Sequence, residues 1–422
     1  MGDKQPEAGQ TITPNMKIRP WAFSLLVVLM IVPYKAMADD FKLTPAIGIK
    51  QEYSDNILYS PTEVKSDFLS TISPELVLTD KTERCELMAS GRIDQRFYLH
   101  NSQINGTDQF YEGTGKYALT QRLNLNGRVY YSQDGRPGLD LLTTGLPLTN
   151  VTRERQNYTV GWDYRPSERN TFTFSYDYLS DQFNSLYYSD MEAHTFDLAA
   201  SRDLGFIRPT KVMIDMNYAK YNIPALKIDN YEATLGFQRA FTEKWSLSAN
   251  GGARYTDSVT QATEQIVQPF PPIPFFQVIP IASTETTGWG WIGALSLNYQ
   301  GEHNDSNGSL SVIHNILPAS GYSGATERTS FVLGINKRFT YELYGTFSAS
   351  YYINKSSPGQ FSTLKIDENS TSVSPGIRYE FNREKFLEVS YSYSITNYYE
   401  YSTWADRNAF MVRFRIQHDL IK

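Results

Sequence analysis

The chain has 422 residues, of which 41% are hydrophobic, 14% aromatic and 20% charged. Its 30 Tyr and 23 Phe can bury much apolar surface, which excludes an intrinsically disordered chain. The mean hydropathy is negative, which excludes a bundle of membrane-spanning helices. The single cysteine, Cys85, excludes a disulfide scaffold, and the net charge of −6 argues against a surface that wraps nucleic acid.

Residues 16–38 have the three parts of a secretory signal peptide. A basic start is followed by an apolar run at 21–32, and Ala36 and Ala38 satisfy the small-x-small rule for cleavage. An anchor helix is the alternative, but the apolar run is too short to span a bilayer comfortably. We therefore expect cleavage after Ala38, with residues 1–15 as an extension upstream of the true start.

From residue 41 onward, apolar and polar residues alternate in run after run, and no helical period of useful length occurs. Clear examples are residues 158–164, 172–178, 387–395 and 410–416. Each run is about ten residues long, which is the length of a tilted transmembrane strand. The pattern therefore predicts an all-β chain whose strands are long enough to cross a membrane.

Short polar turns, such as 166–170 and 382–385, alternate with longer segments, such as 134–155 and 257–285. Short turns at one end and long loops at the other are typical of outer-membrane barrels. Counting hairpins gives about 18 strands, with 16 nearly as plausible and 20 not excluded. We predict one domain over residues 39–422, a transmembrane antiparallel up-and-down β-barrel with both termini on the periplasmic side. A soluble sandwich or propeller is the alternative, but no blade repeat is visible.

If the apolar face of these strands contacts lipid, the polar face lines the lumen of the barrel. Mixed charges on that face suit a hydrated pore, where charged side chains tune selectivity. An equally weighted alternative is that these charges pair across the lumen and plug it. The pore-lining candidates are Arg92, Asp94, Arg96, Arg128, Asp163, Asp177, Asp215, Arg254, Arg378, Glu380, Arg413 and Arg415.

The segment 268–281 is rich in proline and apolar residues and lies in the longest predicted loop. Its prolines cannot donate ladder hydrogen bonds, so we do not expect a central strand there. We predict a loop folded into or over the mouth, as a constriction or a lid that docks a partner; the alternative is an ordinary surface loop. The constriction candidates are Pro269, Phe270, Pro271, Pro272, Phe275 and Phe276.

Catalytic motifs are absent from the sequence. It contains no G-x-S-x-G motif or nucleotide-binding P-loop, and no G-x-G-x-x-G run that opens a helix, as a dinucleotide fingerprint requires. His194 and His314 fall on the predicted lipid-facing side, His100 and His303 in loops or turns, and His418 near the C-terminus. We therefore predict no catalytic residue, cofactor or metal, and keep an outer-membrane hydrolase as a remote alternative.

The N-terminal part of the predicted barrel, residues 41–84, resembles the beta-barrel porin 2 family of bacterial outer-membrane proteins. The resemblance rests on an E-Y-x-D-N tract at 52–56 and on an S-D-F-x-[ST]-x-I-x-P tract at 66–74. The turn at 81–84 also looks like that family. Members are often linked with exopolysaccharide and exosortase-type gene clusters, so the resemblance implies export or anchoring of a cell-envelope polymer. The family has no established catalytic residues to carry over.

Together these patterns predict a passive or gated channel in a Gram-negative-type outer membrane. It would export an exopolysaccharide or pass hydrophilic solutes. The alternative is a plugged structural barrel that anchors cell-envelope polymer machinery. The expected partners are outer-membrane lipid, the barrel assembly machinery, and a polysaccharide or periplasmic export components.

Overall fold

In the computed structural model, the described residues are 40–135, 151–185, 188–205, 208–267, 277–281, 283–302, 305–319, 324–357, 361–362 and 365–420. Residues 40–422 form one compact unit. The predicted signal peptide and upstream extension lie outside the described residues. Among the residues that are described, no helix is both long and apolar enough to cross a membrane.

Strands dominate the described residues, with two short 3₁₀ turns at Ser102–Ile104 and Tyr399–Tyr401. The strands are β1 (Asp40–Ser54), β2 (Asp67–Lys81), β3 (Cys85–Tyr98), β4 (Gly106–Ala118), β5 (Leu123–Asp134), β6 (Arg153–Ser167), β7 (Asn170–Phe183), β8 (Met191–Asp203), β9 (Thr210–Ile223), β10 (Leu226–Ala240), β11 (Trp245–Thr260), β12 (Thr263–Val267), β13 (Gln277–Ile281), β14 (Thr284–Gln300), β15 (Ser306–Ala319), β16 (Gly324–Arg338), β17 (Leu343–Ser356), β18 (Ile366–Asn382), β19 (Lys385–Tyr398) and β20 (Thr403–Gln417).

All of these strands except β12 and β13 form one antiparallel sheet of 18 strands, in which each strand pairs with the next along the chain. The sheet closes because β1 also pairs with β20, from Ala46 opposite Gln417 to Ser54 opposite Ala409. A closed sheet has no edge strand, which is what a lipid environment requires of β structure. The prediction of an up-and-down antiparallel barrel with about 18 strands is therefore confirmed.

The two faces of the strands differ in chemistry as the alternation predicts. On β10, the apolar residues Tyr231, Leu235 and Phe237 are exposed on the outside of the barrel, whereas the alternate residues Ile228 and Asn230 are buried inside. An apolar belt outside and a polar interior are the reverse of a soluble barrel. This arrangement places the charged side chains of the strands in the lumen.

The turns at the end of the barrel that holds both chain termini are short, and several share one device. A threonine hydroxyl accepts hydrogen bonds from the backbone N–H groups two and three residues further on. This local bond competes with ladder pairing and reverses the chain within a few residues. The threonines are Thr82, Thr120, Thr242 and Thr340.

Arginine substitutions on adjacent residues of β7 test which face meets lipid. Phe174 lies on the outer face and stacks on Trp162, whereas the Ser175 hydroxyl donates to Asp197 inside the barrel. We expect Phe174→Arg to destabilise the inserted barrel by about 2–4 kcal/mol, the cost of arginine near the bilayer midplane. Ser175→Arg should fold like the wild type, because its charge meets water and a carboxylate.

The measurement is the folded fraction in lipid vesicles, read from the mobility of unheated samples on gels. Equal folded fractions for Phe174→Arg and Ser175→Arg would contradict the assignment of the two faces.

Candidate functional site

The strand register identifies the side chains that point into the barrel. Arg254 on β11 lies opposite Glu232 on β10, and Glu232 lies opposite Asn217 on β9. Residues opposite one another in neighbouring strands share a face. The alternate positions Trp289 and Trp291 on β14 are 78% and 61% exposed, so they mark the outer face. Arg254, Glu232 and Asn217 therefore point inward.

Followed around the sheet, the register places every charged pore-lining candidate on this inner face. Whether they surround a conducting path stays a prediction. The residues so placed are Arg92, Asp94, Arg96, Arg128, Asp163, Asp177, Asp215, Arg254, Arg378, Glu380, Arg413 and Arg415.

One side of the lumen carries arginines, and we call Arg92, Arg378, Arg413 and Arg415 the basic wall. They come from β18, β20 and β3, which lie at or near the place where β1 pairs with β20 and closes the sheet. Arg415 forms an ion pair with Glu75 at 3.0 Å. Two more ion pairs are made within single strands, Arg378 with Glu380 at 2.9 Å and Arg92 with Asp94 at 3.2 Å.

Aromatic rings accompany these arginines on the inner face. The Arg92 guanidinium lies 4.5 Å from the centre of the Phe110 ring. Arg378 lies 5.1 Å from the Tyr344 ring and 5.4 Å from the Phe386 ring. A guanidinium over a ring face is an attractive geometry that also keeps the planar cation oriented. The basic wall is therefore a surface of flat cations and rings.

The opposite side carries carboxylates, one on each strand from β6 to β10. We call Asp163, Asp177, Asp197, Asp215 and Glu232 the acidic wall. Their hydrogen-bond donors are neutral side chains. These are Asn126 and Thr173 for Asp163, Thr159 for Asp177, Ser175 and Asn217 for Asp197, Thr234 for Asp215, and Asn230 for Glu232.

Among the residues that the structure describes, no Lys, Arg or His lies within ion-pair distance of the acidic wall. In the ring of strands, β6–β10 lie across the barrel from the basic wall on β18, β20 and β3. One side of the lumen therefore carries carboxylates with neutral donors, whereas the other carries arginines that are mostly ion-paired, and the two sides present different chemistry to a solute.

Two members of the acidic wall, Asp197 and Glu232, were not among the sequence candidates. Asp197 lies between Phe196 and Leu198, and Glu232 follows Tyr231. This alternation with outward apolar residues is the same signal that identified Asp177, so the pattern contained both residues.

One candidate, Arg96, is engaged in a buried ion pair near the loop end of the barrel. The Arg96 side chain is 5% exposed, and its Nε lies 3.0 Å from Asp108. Arg153 with Asp134 and Arg155 with Asp181 form similar pairs on neighbouring strands. Breaking a buried pair leaves an uncompensated charge, so these pairs hold the strands in register at this end.

The loop between β1 and β2 folds into the mouth of the barrel. Ile57 packs against the inner-face residues Leu69 and Tyr98. Tyr59, in the positive-φ region at 52°, is buried against Tyr398 and Ala405. Its hydroxyl meets the Thr396 hydroxyl at 3.2 Å, and burial raises the pKa of the Tyr59 phenol above its usual value. The phenol therefore stays neutral.

The E-Y-x-D-N tract of the family resemblance anchors this loop. Asn56 donates to the backbone carbonyls of Ser60 and Asp406, both at 2.9 Å. Asp55 accepts from the backbone and the side chain of Asn408. These bonds join the loop after β1 to the residues of β20, the strand that pairs with β1 to close the barrel. The tract is thus a structural element of the mouth.

The aspartate of the S-D-F tract has a related role. The buried Asp67 carboxylate accepts backbone N–H bonds from Phe68, His100 and Asn101. The Asn101 side chain also donates to it at 2.8 Å. Asp67 thereby ties the start of β2 to the loop between β3 and β4.

The segment 268–281 is described only from residue 277 onward. Residues 277–281 form β13, which pairs with β12 in a separate two-stranded sheet, in agreement with the prediction that this segment is not a central strand. The constriction candidates lie outside the described residues, and their role stays a prediction. They are Pro269, Phe270, Pro271, Pro272, Phe275 and Phe276.

A cavity of about 220 Å³ opens beside the acidic wall. Asp197, Asp215 and Glu232 line one side of it, and Ile292 and His314 line the other. Among the described residues, no three His, Cys, Asp or Glu side chains are grouped closely enough to hold a metal ion.

The comparisons with known proteins agree with this architecture. The family model described as "Putative beta-barrel porin 2" matches residues 36–185, which include the stretch that carries the resemblance. That resemblance is confirmed. The match covers 150 of the 422 residues and, with the closed 18-stranded barrel, indicates a β-barrel of the outer membrane. No match was found among curated proteins.

Three solved structures are similar to the chain at 9–12% sequence identity. The siderophore receptor PirA from Pseudomonas aeruginosa is 12% identical with a TM-score of 0.45, over 89% of this chain and 80% of that chain. OccK9 (OpdG) from Pseudomonas aeruginosa is 10% identical with a TM-score of 0.43, over 90% of this chain and 100% of that chain. OccAB3 from Acinetobacter baumannii is 9% identical with a TM-score of 0.43 over the same shares.

Replacing Asp67 tests its role at the mouth. We expect Asp67→Ala to lower the free energy of unfolding by about 2–4 kcal/mol, because buried N–H groups lose their acceptor. The measurement is urea unfolding of the refolded barrel followed by tryptophan fluorescence. Glu63→Ala, on the exposed part of the preceding loop, should change the free energy by less than about 0.5 kcal/mol. Equal unfolding midpoints for the two variants would contradict the anchoring role.

Proposed function

We propose that this outer-membrane barrel is a channel for hydrophilic solutes. The observation that carries the proposal is the division of its inner face into an acidic wall and a basic wall. Charged side chains are costly in a membrane protein unless they face water or a partner. The acidic wall has neutral hydrogen-bond donors and forms no ion pair among the described residues, so its charges suit a water-filled lumen. A structural barrel whose lumen is plugged by side chains could use neutral side chains at these positions.

Removing charge from either wall should change ion selectivity in opposite directions. We expect the double variant Asp177→Asn and Asp197→Asn to lower the cation-to-anion permeability ratio by about twofold or more, because these carboxylates attract cations to the lumen. Arg413→Gln should raise that ratio. The measurement is the reversal potential of the purified chain, residues 39–422, in a planar bilayer with a KCl gradient.

Glu63→Gln is the matched control, because it removes a carboxylate whose side chain is 63% exposed on a loop. It should leave the reversal potential unchanged. The same reversal potential for the control and both wall variants would contradict the assignment of the walls to the conducting path.

We further propose that the solute is a saccharide polymer on its way out of the cell. The family match and the basic wall support this. Arg92, Arg378 and Arg413 present donors for hydroxyl and carboxylate groups, and Phe110 and Phe386 provide flat apolar surfaces. Sugars expose both kinds of surface, and an acidic polysaccharide would also gain from arginine's paired donors.

Current block by oligosaccharides tests this finer proposal. Oligomers of a uronic acid should interrupt the current for longer than neutral glucans of equal length, because they pair with the basic wall. Arg413→Gln should shorten the uronate blocks and leave those of the neutral glucan unchanged. Equal block times for both sugars in the wild type would contradict a basic wall that selects acidic saccharides.

We also propose the route to the membrane. Residues 16–38 would direct secretion and be removed after Ala38, and the barrel assembly machinery would insert the mature chain. The basic n-region, the apolar run and the small residues before Ala38 support this route. Periplasmic export components are the partners that a polysaccharide channel would need on its inner side.

A hydrolase is a weaker proposal for this barrel. The His194 side chain lies on the outer face, where its Nδ1 meets the Tyr176 hydroxyl at 2.9 Å. His100 contacts Asp67 in the anchoring cluster, and His418 contacts Glu384 beside a turn. None of these contacts places a serine or a second acid beside the ring, as nucleophilic catalysis needs.

A further inference from the structure

The wall of the barrel divides between β14 and β15. The two strands pair from Gly293 opposite His314 to Gln300 opposite Asn307. Nearer the loops, residues 284–292 pair only with β11, and residues 315–319 pair only with β16. The other neighbouring strands of the sheet pair at ten or more positions, except β1 with β20, which pair at nine and where the loop after β1 continues the contact. Two strand edges are therefore left facing each other without ladder bonds at the loop end.

The end of the β15–β16 hairpin has turned into the lumen. Near the turns, its outer face is exposed to lipid, as Leu310, Phe331 and Ile335 show at 41–44% exposure. At the loop end, the residues of this same face are buried: Ile316 is 3% exposed and Ala325 0%. The face that contacts lipid lower down is thus covered by protein higher up.

The surface that covers it is the inner face of the nearby strands β9 and β10. Ile316 and Ala325 belong to one packed cluster with Tyr221, Leu226 and Ile228. These partners alternate along β9 and β10 with residues that are exposed outside, so they point into the lumen. An outward-facing surface can meet an inward-facing one only if the hairpin end lies inside the barrel. We call this end, residues 314–319 and 324–329, the inner cap.

A polar contact holds the inner cap against β11. Arg254 Nη2 lies 3.0 Å from Glu327 Oε1, and His314 Nε2 lies 3.1 Å from the same oxygen. Arg254 points inward from β11, whereas Glu327 shares the outer face of β16 with Phe331. Arg254 crosses β14 at Gly290, where a Cβ atom would lie only 2.5 Å from the guanidinium carbon. Glycine at this position is therefore what allows the contact.

Ring contacts complete this arrangement. The Trp291 ring stacks on the His314 ring with centroids 3.7 Å apart, at the point where the two strands separate. The Phe361 ring lies 5.0 Å from the Arg254 guanidinium, and its backbone oxygen accepts from the N–H of Ala325. The loop after β17 is thereby joined to the cap.

We propose that the inner cap is a movable gate that closes the mouth above the acidic wall, with Glu327 as its latch. It opens when the cap leaves β9–β11 and β15 extends its pairing with the free edge of β14. New ladder bonds then offset the loss of the cluster and the latch, so that two packings of similar free energy exist. Ile316 and Ala325 would then face lipid, as Leu310 does. As a gate, the cap rests on the proposed channel function.

Thiol labelling beneath the buried cap tests the motion without relying on conductance. In a Cys85→Ser background, Ile228→Cys places a thiol on the inner wall under the cap, and a membrane-impermeant maleimide reports its exposure to the water of the lumen when the cap leaves. We expect Glu327→Ala to speed this labelling by about tenfold, the effect of losing one charge-assisted hydrogen bond. Leu226→Cys provides a second reporter if Ile228→Cys does not fold on an unheated gel.

Two controls make the result specific to the latch. Glu380→Ala removes a lumen carboxylate whose 2.9 Å arginine partner, Arg378, lies on the same strand, and should leave the labelling unchanged. Ala405→Cys, buried beside Tyr59 in the other mouth cluster, should label equally slowly with and without Glu327. An unchanged rate at Ile228→Cys in the Glu327→Ala variant would overturn the proposal. Faster labelling at both cysteine positions would also overturn it, because the whole mouth would have loosened.

Bilayer recordings separate this proposal from the channel function. Glu327→Ala should raise the open probability at least about tenfold relative to the wild type and to Glu380→Ala. If labelling becomes faster but no variant conducts ions in the bilayer, the result would support the moving cap and contradict the channel. Equal open probabilities with equal labelling would overturn the gate and leave the channel standing.

Discussion

Closure of the backbone hydrogen-bond ladder is the constraint on which the rest of this structure depends. In lipid, an unpaired strand edge costs several kcal/mol for each unsatisfied group, so the chain must end where it began. The pairing of β1 with β20 provides this, and it continues beyond the ladder where His418 and Leu420 donate to Pro45 and Leu43. Antiparallel pairing of sequence neighbours then places each side chain either in lipid or in the lumen.

This closure confines most charge on the strands to the interior. Carboxylates with neutral donors lie on one side of the ring and mostly ion-paired arginines on the other, so the two sides of the lumen differ in chemistry. Near the loops the charges are paired and buried, as Arg96 with Asp108 shows, whereas the carboxylates of the acidic wall have only neutral donors. The loop end thus provides rigidity, and the middle of the barrel presents its charges to the lumen.

The separation of β14 from β15 is a local exception to the same constraint. Because the freed end of the hairpin is buried against the inner wall, its apolar side chains remain out of water although they have left the lipid. The Arg254–Glu327 contact and the stacking of Trp291 on His314 stabilise this arrangement. An exception of this kind has a cost in unpaired backbone, which is the physical reason to expect a second state.

The sequence by itself determined the barrel, its approximate strand number and the inward direction of the charged residues. These properties depend on alternation and turn lengths, which are local, so Asp177 and Arg413 could be assigned to a face without knowing their neighbours. Tertiary structure alone decided which charges meet. Arg254 and Glu327 lie on strands that do not pair, with β14 and β15 between them in the ring, and the outer-face residue Glu327 reaches an inner-face partner only because the hairpin end turns inward. Alternation assigns a residue to a face of its strand, but it cannot reveal that the strand itself has left the wall.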